Sequence, residues 1–249
     1  MQYQLAISIV LFNNRQEEVD YLLKLFSEEN IDNLLILLID NSIKPCWCGT
    51  SKNVIYKWNK VNVGFGKGHN QAFEHSLQQK IPFHLVCNLD ISFRQGTLRG
   101  LLDYLIQHNE VGAVSPVILN NDNTCQFNGR PLPSLKSLFY RRFVEQKDKE
   151  QYRTKKGVKP IEWMSGCFML LRVSAVKSVG GFDTRFFLYM EDVDLSRRMA
   201  TRFPLYLHQE QFIVHKRQRG SYSSLLLTFY HVVSTLKYFG KWRLENDKK

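Results

Sequence analysis

The chain has 249 residues, enough for one sizeable core, and its 44% hydrophobic and 23% charged residues exclude a disordered or low-complexity polymer. Lys and Arg (34) outnumber Asp and Glu (23) to give a net charge of +11, which suits a polyanion or an acidic membrane face. No helix-turn-helix, zinc-finger or RNA-sheet signature accompanies that charge, so nucleic acid is not an expected partner, and no apolar run is long enough to span a membrane.

Five cysteines, Cys46, Cys48, Cys87, Cys125 and Cys167, make an odd number, and Cys46 and Cys48 lack the two-residue spacing usual in a zinc knuckle or redox pair. No signal peptide opens the sequence, so the expected setting is a reducing cytoplasm.

Leu5 to Phe12 is an apolar run broken only by Ser8, which reads as a buried parallel strand. Asn13 follows, and then a helix with Val19, Leu22, Leu23 and Phe26 on one stripe. A second buried strand, Leu34 to Ile39, ends in Asp40-Asn41-Ser42. Polar groups at the C-terminal ends of parallel strands sit where open α/β sheets bind ligands, so Asp40 is a candidate acceptor for a base or ribose; a local Asx turn is the alternative. After a short strand at Val54 to Lys57 comes Asn62-Val63-Gly64-Phe65-Gly66-Lys67-Gly68-His69-Asn70. Its glycines allow close backbone approach, and the helix predicted after them offers free N–H groups to a phosphate. The spacing matches neither a Walker A nor a GxGxxG motif.

The strand Phe83 to Leu89 runs into Asn88-Leu89-Asp90. Residues two apart on extended chain share a face, so Asn88 and Asp90 would address one ligand, an Mg²⁺ or Mn²⁺ also held by a diphosphate. A helix at Leu98 to Ile106 and a strand at Val111 to Leu119 complete the first half. The second half is less regular. Phe127 and Arg130 are candidate substrate contacts, and Arg141, Arg142 and the lysines around position 155 would make a basic rim. The strand-like Ile161 to Arg172 is broken at Ser165-Gly166, a place for backbone to pass near a ligand. A short helix at Val176 to Val179 is closed by Gly180-Gly181. Then comes the acidic cluster Glu191, Asp192, Asp194, which either starts a helix, with Asp194 pairing Arg198, or faces a reacting centre. Two short strands, Leu205 to Leu207 and Phe212 to Val214, lead to His215, either a satisfied histidine or a metal ligand, and to Lys216, Arg217 and Arg219, which could neutralise a diphosphate. From Ser224 an apolar, basic helix either packs on the domain or lies on an anionic membrane, with Tyr238 and Trp242 suited to the interface.

A nucleotide-binding half, a metal-competent strand end and a second group of carboxylates suit displacement at a diphosphate-activated carbon. Asp192 or Glu191 would deprotonate an acceptor hydroxyl on the face opposite the leaving group, giving inversion.

The motifs Ser8-Ile9-Val10-Leu11-Phe12-Asn13, Ile39 to Ser42, Asn62 to Asn70, Asn88-Leu89-Asp90, Ser165 to Arg172 and Gly181 to Leu195 together resemble the family 2 glycosyltransferases, nearest the bacterial rhamnosyltransferases of O-antigen and capsule synthesis. The resemblance spans about residues 5 to 220. It implies the GT-A fold, a Rossmann-like, mostly parallel sheet with helices on both faces. It implies a transferase domain at 1–220, split near 119 into nucleotide-sugar and acceptor halves, with an amphipathic helical segment at 221–249. By position it gives Asp192 as base with Glu191 assisting, Asp90 and His215 at the divalent metal, and Asn13, Asp40, Asn41, Gly64, Gly66, Gly68, Asn70 and Asn88 around the donor. Asn88 stands where the family's Asp-x-Asp motif has its first Asp. The implied donor is dTDP-rhamnose and the acceptor a polyprenyl-diphosphate-linked saccharide, with peripheral contact to the cytoplasmic face of the membrane. Rival readings are the same fold with UDP-galactose, UDP-glucose or another donor, a non-catalytic carbohydrate- or polyanion-binding module, and a nucleotidyltransferase.

Overall fold

Strand β1, Leu5–Leu11, is buried almost throughout because both of its faces are covered, which is why it reads as a continuous apolar run. It lies at the centre of a ten-stranded sheet in the computed structural model, which describes residues 3–126, 131–134, 155–216 and 224–246. The chain order is β1, α1 (Gln16–Ser27), β2 (Leu34–Asp40), β3 (Val54–Trp58), α2 (Phe65–Gln78), β4 (Phe83–Cys87), β5 (Ile91–Phe93) and α3 (Thr97–Gln107). There follow β6 (Ala113–Leu119), β7 (Cys125–Gln126), β8 (Val158–Pro160), β9 (Phe168–Arg172), α4 (Val173–Val179), α5 (Glu191–Ala200), β10 (Leu205–His215) and α6 (Leu225–Asn246).

The sheet order is β3-β2-β1-β4-β9-β6-β10-β5, with β7 on β6 and β8 on β10. Strands β3, β2, β1 and β4 are parallel, as are β6 and β10, whereas β9, β5, β7 and β8 run against their neighbours. The mostly parallel sheet expected from the sequence is thus parallel in its first half and mixed in its second. The chain winds from β1 outward to β3 and then returns to the other side of β1 as β4. That reversal opens a crevice at the C-terminal ends of β1, β2 and β4, the position where such sheets take ligands.

Several local expectations change. The glycine loop is mostly helix, since α2 begins at Phe65 and includes Gly66 and Gly68. Strand β4 stops at Cys87, and Leu89 and Asp90 form a bend, so Asn88 and Asp90 do not sit two apart on one extended face. The two short strands before His215 are one strand, β10, with a register shift between His208 and Phe212. Phe127, Arg130, Arg141, Arg142, Arg217 and Arg219 lie outside the described residues.

Beneath the crevice a buried hydrogen-bonded chain joins α2 to the sheet. Ser76 Oγ lies 2.7 Å from His84 Nδ1, His84 Nε2 lies 2.8 Å from Ser8 Oγ, and Ser8 Oγ lies 2.6 Å from His69 Nδ1. This accounts for the one polar residue in β1. Burial lowers His69 to about 3, and burial, reinforced by His69, drives His84 well below its usual value. Below about pH 6.5 the unfolded chain therefore takes up protons that the folded chain refuses, and stability falls as pH falls. Each histidine contributes a slope of roughly 1 kcal/mol per pH unit. Glu191, raised to about 8, opposes one of the two, because the folded state holds its proton while the unfolded state does not; Asp192 and Glu29, raised by burial, oppose in the same sense toward the acid end, and His208, lowered by burial, adds to the histidines. The net expectation is a thermal midpoint that drops between about pH 6.5 and pH 4.5 by scanning calorimetry; a flat midpoint would contradict the neutral assignment.

Candidate functional site

Strand pairing brings Asp90 and His215 together. Strand β5 runs antiparallel to β10 with His215 opposite Ile91, so the bend before β5 sets the Asp90 carboxylate 3.2 Å from His215 Nε2. The other imidazole nitrogen, Nδ1, lies 3.1 Å from Gln126 Oε1. Gln126 Nε2 donates to the carbonyls of His215 at 2.8 Å and Leu119 at 3.3 Å, which fixes its amide so that Oε1 can only accept. His215 therefore carries hydrogen on Nδ1 and aims Nε2 at Asp90. Burial opposes a second proton, but the hydrogen bond to Asp90, with Cys167 adding, outweighs it and raises His215 to about 10.

A lone pair and a carboxylate facing each other require a positive species between them, either a proton or a cation. An oxygen and a nitrogen donor converging from two strands fit a divalent ion whose remaining ligands come from a diphosphate and water. Among the described residues no group of three or more His, Cys, Asp or Glu side chains converges, so this pair does not form a closed protein cage.

The second centre is the start of α5. Tyr189 and Met190 hold left-handed backbone at φ 70° and 67°, an unfavourable conformation for side-chain-bearing residues that costs of order 1 kcal/mol or more each and turns the chain sharply into the helix. Asp192 Oδ2 accepts from Gly166 N–H at 2.9 Å and Oδ1 from Val193 N–H at 2.8 Å. The Ser165-Gly166 break passes close to Asp192, for a Cβ on Gly166 would lie 3.4 Å from Asp192 Cβ. The next residue, Cys167, reaches His215 and accepts Asn88 N–H at its carbonyl, at 3.0 Å. One short segment ahead of β9 thus joins the Asp90–His215 pair to Asp192. Sequence reasoning noticed the break but missed Gln126 and Cys167.

Glu191 and Asp192 differ despite adjacency. Glu191 is buried at 5% exposure and its Oε2 has no partner among the described residues, while Asp192 is half-buried. Burial, with the Asp192 charge adding, raises Glu191 to about 8 against the pull of backbone N–H groups. Burial also raises Asp192, and the N–H groups of Gly166 and Val193 oppose it. Glu191 therefore keeps its proton near neutrality, and Asp192 is the carboxyl that ionises. The assisting catalytic role expected of Glu191 does not suit its placement, because its carboxyl is shut away behind α2.

The donor-side residues divide by what they touch. Asn13 is exposed at the end of β1, at φ 54°, with its N–H on Ser42 Oγ at 2.7 Å. Asn88 is half-buried beside Asp90. Asp40 is turned inward at 0% exposure. Its carboxylate accepts from Ser42 N–H at 2.8 Å, Cys46 N–H at 2.9 Å and Tyr56 Oη–H at 2.5 Å, so as placed it shapes the loop after β2 and offers no free oxygen to a base. Although burial opposes it, these bonds hold Asp40 below its ordinary value. Asn41, also buried, bonds Gly64 O at 3.2 Å and accepts from Asn59 at 2.9 Å, tying the same loop to α2.

The glycines allow protein to approach protein. Gly64 caps α2 at φ +91°, and a Cβ there would fall 2.6 Å from Phe187 O. Gly66 and Gly68 admit Phe182 and Val10 in the same way, at 2.9 and 2.8 Å. The first helical N–H, of Phe65, is already given to Phe187 O at 3.0 Å, which removes one donor expected for phosphate. Asn70 is a clamp: its amide donates to Phe182 O and accepts from Phe182 N–H, both at 2.8 Å. The stretch expected to cradle a donor thus docks α2 against the segment that carries Asp192.

No protein-family profile matches the chain. It is 33% identical over 206 residues to the N-acetylglucosaminyl-diphospho-decaprenol L-rhamnosyltransferase of Mycobacterium tuberculosis, a match covering 73% of this chain and 66% of that protein, just under two thirds of its length. It is 30% identical over 90 residues to the rhamnosyltransferase WbbL of Escherichia coli, covering 35% of this chain and 34% of that one. The solved mannosyltransferase PcManGT of Pyrobaculum calidifontis, in complex with GDP-Man and Mn²⁺, superposes with a TM-score of 0.59 at 13% identity over 90% of this chain and 60% of that chain, a likeness of fold.

Proposed function

The chain belongs to the family 2 glycosyltransferases of GT-A fold, alongside bacterial rhamnosyltransferases, and from that membership we propose that it transfers a sugar, with inversion, from a nucleoside diphosphate donor to a hydroxyl of a polyprenyl-diphosphate-linked saccharide. The first donor to try is dTDP-rhamnose, and the proposed setting is surface-polysaccharide synthesis at the cytoplasmic face of the membrane. Residues 1–220 form the transferase domain of this proposal, and 221–249 a helical appendage. The name of the mycobacterial relative, with its diphospho-decaprenol, supports a lipid-linked acceptor, and the GDP-Man and Mn²⁺ held by the archaeal neighbour support a nucleotide sugar with a divalent ion.

The observation that carries the proposal is the joining of two chemically distinct centres by Gly166 and Cys167. Asp90 and His215 would hold the divalent ion. When bound, it supplies Lewis-acid stabilisation of the departing diphosphate. Asp192, oriented by two backbone N–H groups, takes the proton of the acceptor hydroxyl. The acceptor oxygen bonds to the anomeric carbon as the donor C–O bond breaks, and the nucleoside diphosphate leaves with that electron pair. Glu191, neutral and buried, leaves Asp192 as the charged member of this adjacent pair.

The test is nucleoside diphosphate release by purified protein with Mg²⁺ or Mn²⁺, a short polyprenyl-linked acceptor and a panel of dTDP-rhamnose, UDP-galactose and UDP-glucose. We expect release with dTDP-rhamnose, abolished by chelation and lowered about a hundredfold or more in Asp90→Ala. Release only with a UDP-sugar would reassign the donor. Acceptor-dependent release undiminished by chelation would refute the metal assignment, and pyrophosphate release would indicate nucleotidyl transfer.

A further inference from the structure

Helix α6 has two apolar faces, and only one is covered. Tyr238 at 0% and Trp242 at 9% exposure pack inward with Phe186, Met190 and Val193, so the two aromatics that the sequence suggested for a membrane interface are core residues. The opposite face carries Leu225 at 92%, Phe229 at 60%, Val232 at 50% and Leu236 at 67% exposure. Their spacing of four, three and four residues aligns them on one stripe about 16 Å long. Single exposed apolar residues need no explanation, but four large ones in a row do.

We propose that this stripe docks on an anionic lipid bilayer and holds the acceptor side of the site at the membrane surface. Two observations favour lipid over a protein partner. Residues 224 to 243 contain no Asp or Glu, while Lys237 and Arg243 are exposed and the whole chain carries +11, so the surface complements anionic headgroups. The other side of the same helix reaches the acceptor side: Tyr230 packs on Phe187 at 4.7 Å and His231 on Tyr189 at 5.1 Å between ring centroids, and the buried Ser234 donates its Oγ–H to Leu188 O at 2.8 Å. These contacts fall on the strained turn that leads into Asp192. A bilayer on the stripe would therefore lie about one helix diameter, roughly 10 Å, from the turn that leads into Asp192, within reach of a polyprenyl-linked substrate. The purpose of the docking rests on the transferase reading; its physics does not.

The test is co-sedimentation of the full chain with vesicles of phosphatidylglycerol and phosphatidylethanolamine, and with phosphatidylcholine alone. We expect binding to the anionic vesicles that weakens at about 0.5 M salt. The variant Leu225→Ser/Phe229→Ser/Leu236→Ser should bind at least about tenfold less, while its turnover of a short-chain, water-soluble acceptor matches the parent. Should its melting curve show lost structure, the single variant Phe229→Ser carries the comparison, with about threefold weaker binding expected. The proposal is overturned if the parent stays in the supernatant with anionic vesicles, or if folded variant and parent sediment alike. A parent dimer that the substitutions make monomeric, without vesicle binding, would assign the face to a second copy. If neither protein turns over any sugar nucleotide, the transferase reading fails while the vesicle result still decides the docking.

Discussion

Asp192→Asn lowers turnover by about 10²- to 10⁴-fold and leaves the KM for the nucleotide sugar within a few-fold of the parent, the expectation for loss of a general base. The side chain is half-buried, and its two oxygens are held 2.9 and 2.8 Å from the N–H groups of Gly166 and Val193. Those bonds favour the charged form that a base needs, while burial raises its proton affinity above that of an ordinary aspartate. Asparagine preserves the shape, keeps one of the two accepted hydrogen bonds and removes the charge. The matched control is Glu191→Gln. Glu191 rises to about 8 through burial and its charged neighbour, so at pH 7 it is already neutral and glutamine copies it; activity is expected within about tenfold of the parent. Steady-state kinetics on both variants separates the roles. If Glu191→Gln is the dead enzyme and Asp192→Asn the live one, the assignment is reversed. If Asp192→Asn loses donor affinity and turnover equally, the residue belongs to the donor site.

The parts legible in the sequence were those with a local cause. Strands β1 and β2 are apolar because both faces are covered, and the acidic residues at the end of β2, after β4 and at the start of α5 stood out against that background. The fold class followed from those runs and from the resemblance they carried. What stayed hidden was decided across long separations. Asn70 clamps Phe182 from 112 residues away, and Gln126 sets the tautomer of His215 from 89 residues away; neither partner leaves a trace at short spacing. Asp40 shows the same limit in reverse. Its place at a strand end was visible, but the inward turn toward Cys46 and Tyr56 depends on a loop whose path no periodicity describes. Glycines at 66 and 68 suggested a loop because glycine weakens helices, and tertiary contact with Phe182 and Val10 overrode that preference. The C-terminal helix had the right period, yet period alone cannot say which of two apolar faces turns inward.

Asp194→Ala should destabilise the fold by about 3 to 5 kcal/mol and free the C-terminal helix. Asp194 is 0% exposed and is shared among three donors on two helices. Its Oδ2 accepts from Arg198 Nε at 2.8 Å, and its Oδ1 lies 2.6 Å from Lys241 Nζ and 3.1 Å from Trp242 Nε1. Arg198 in turn donates to the carbonyls of Val179 and Gly181, at 2.6 and 2.8 Å, so the carboxylate also stabilises the turn that leads toward α5. Removing it leaves a guanidinium and an ammonium, at 17% and 10% side-chain exposure, without their shared counter-charge, although Lys241 keeps Asp183 at 3.0 Å. Buried charges left unpaired cost more than the pair contributed, which is why the effect exceeds that of a surface ion pair. Because Lys241 and Trp242 belong to α6, the loss should appear first as faster hydrogen exchange in that helix and as proteolytic release of the C-terminal segment, ahead of global unfolding. A denaturant midpoint unchanged from the parent, or exchange accelerated in β1 and β2 before α6, would show that the helix is held by its aromatic packing alone. The contrast with Asp192→Asn is then direct. Two carboxylates separated by one residue in a single helix differ because one is held by the N–H groups of Gly166 and Val193 and the other by side chains of the C-terminal helix.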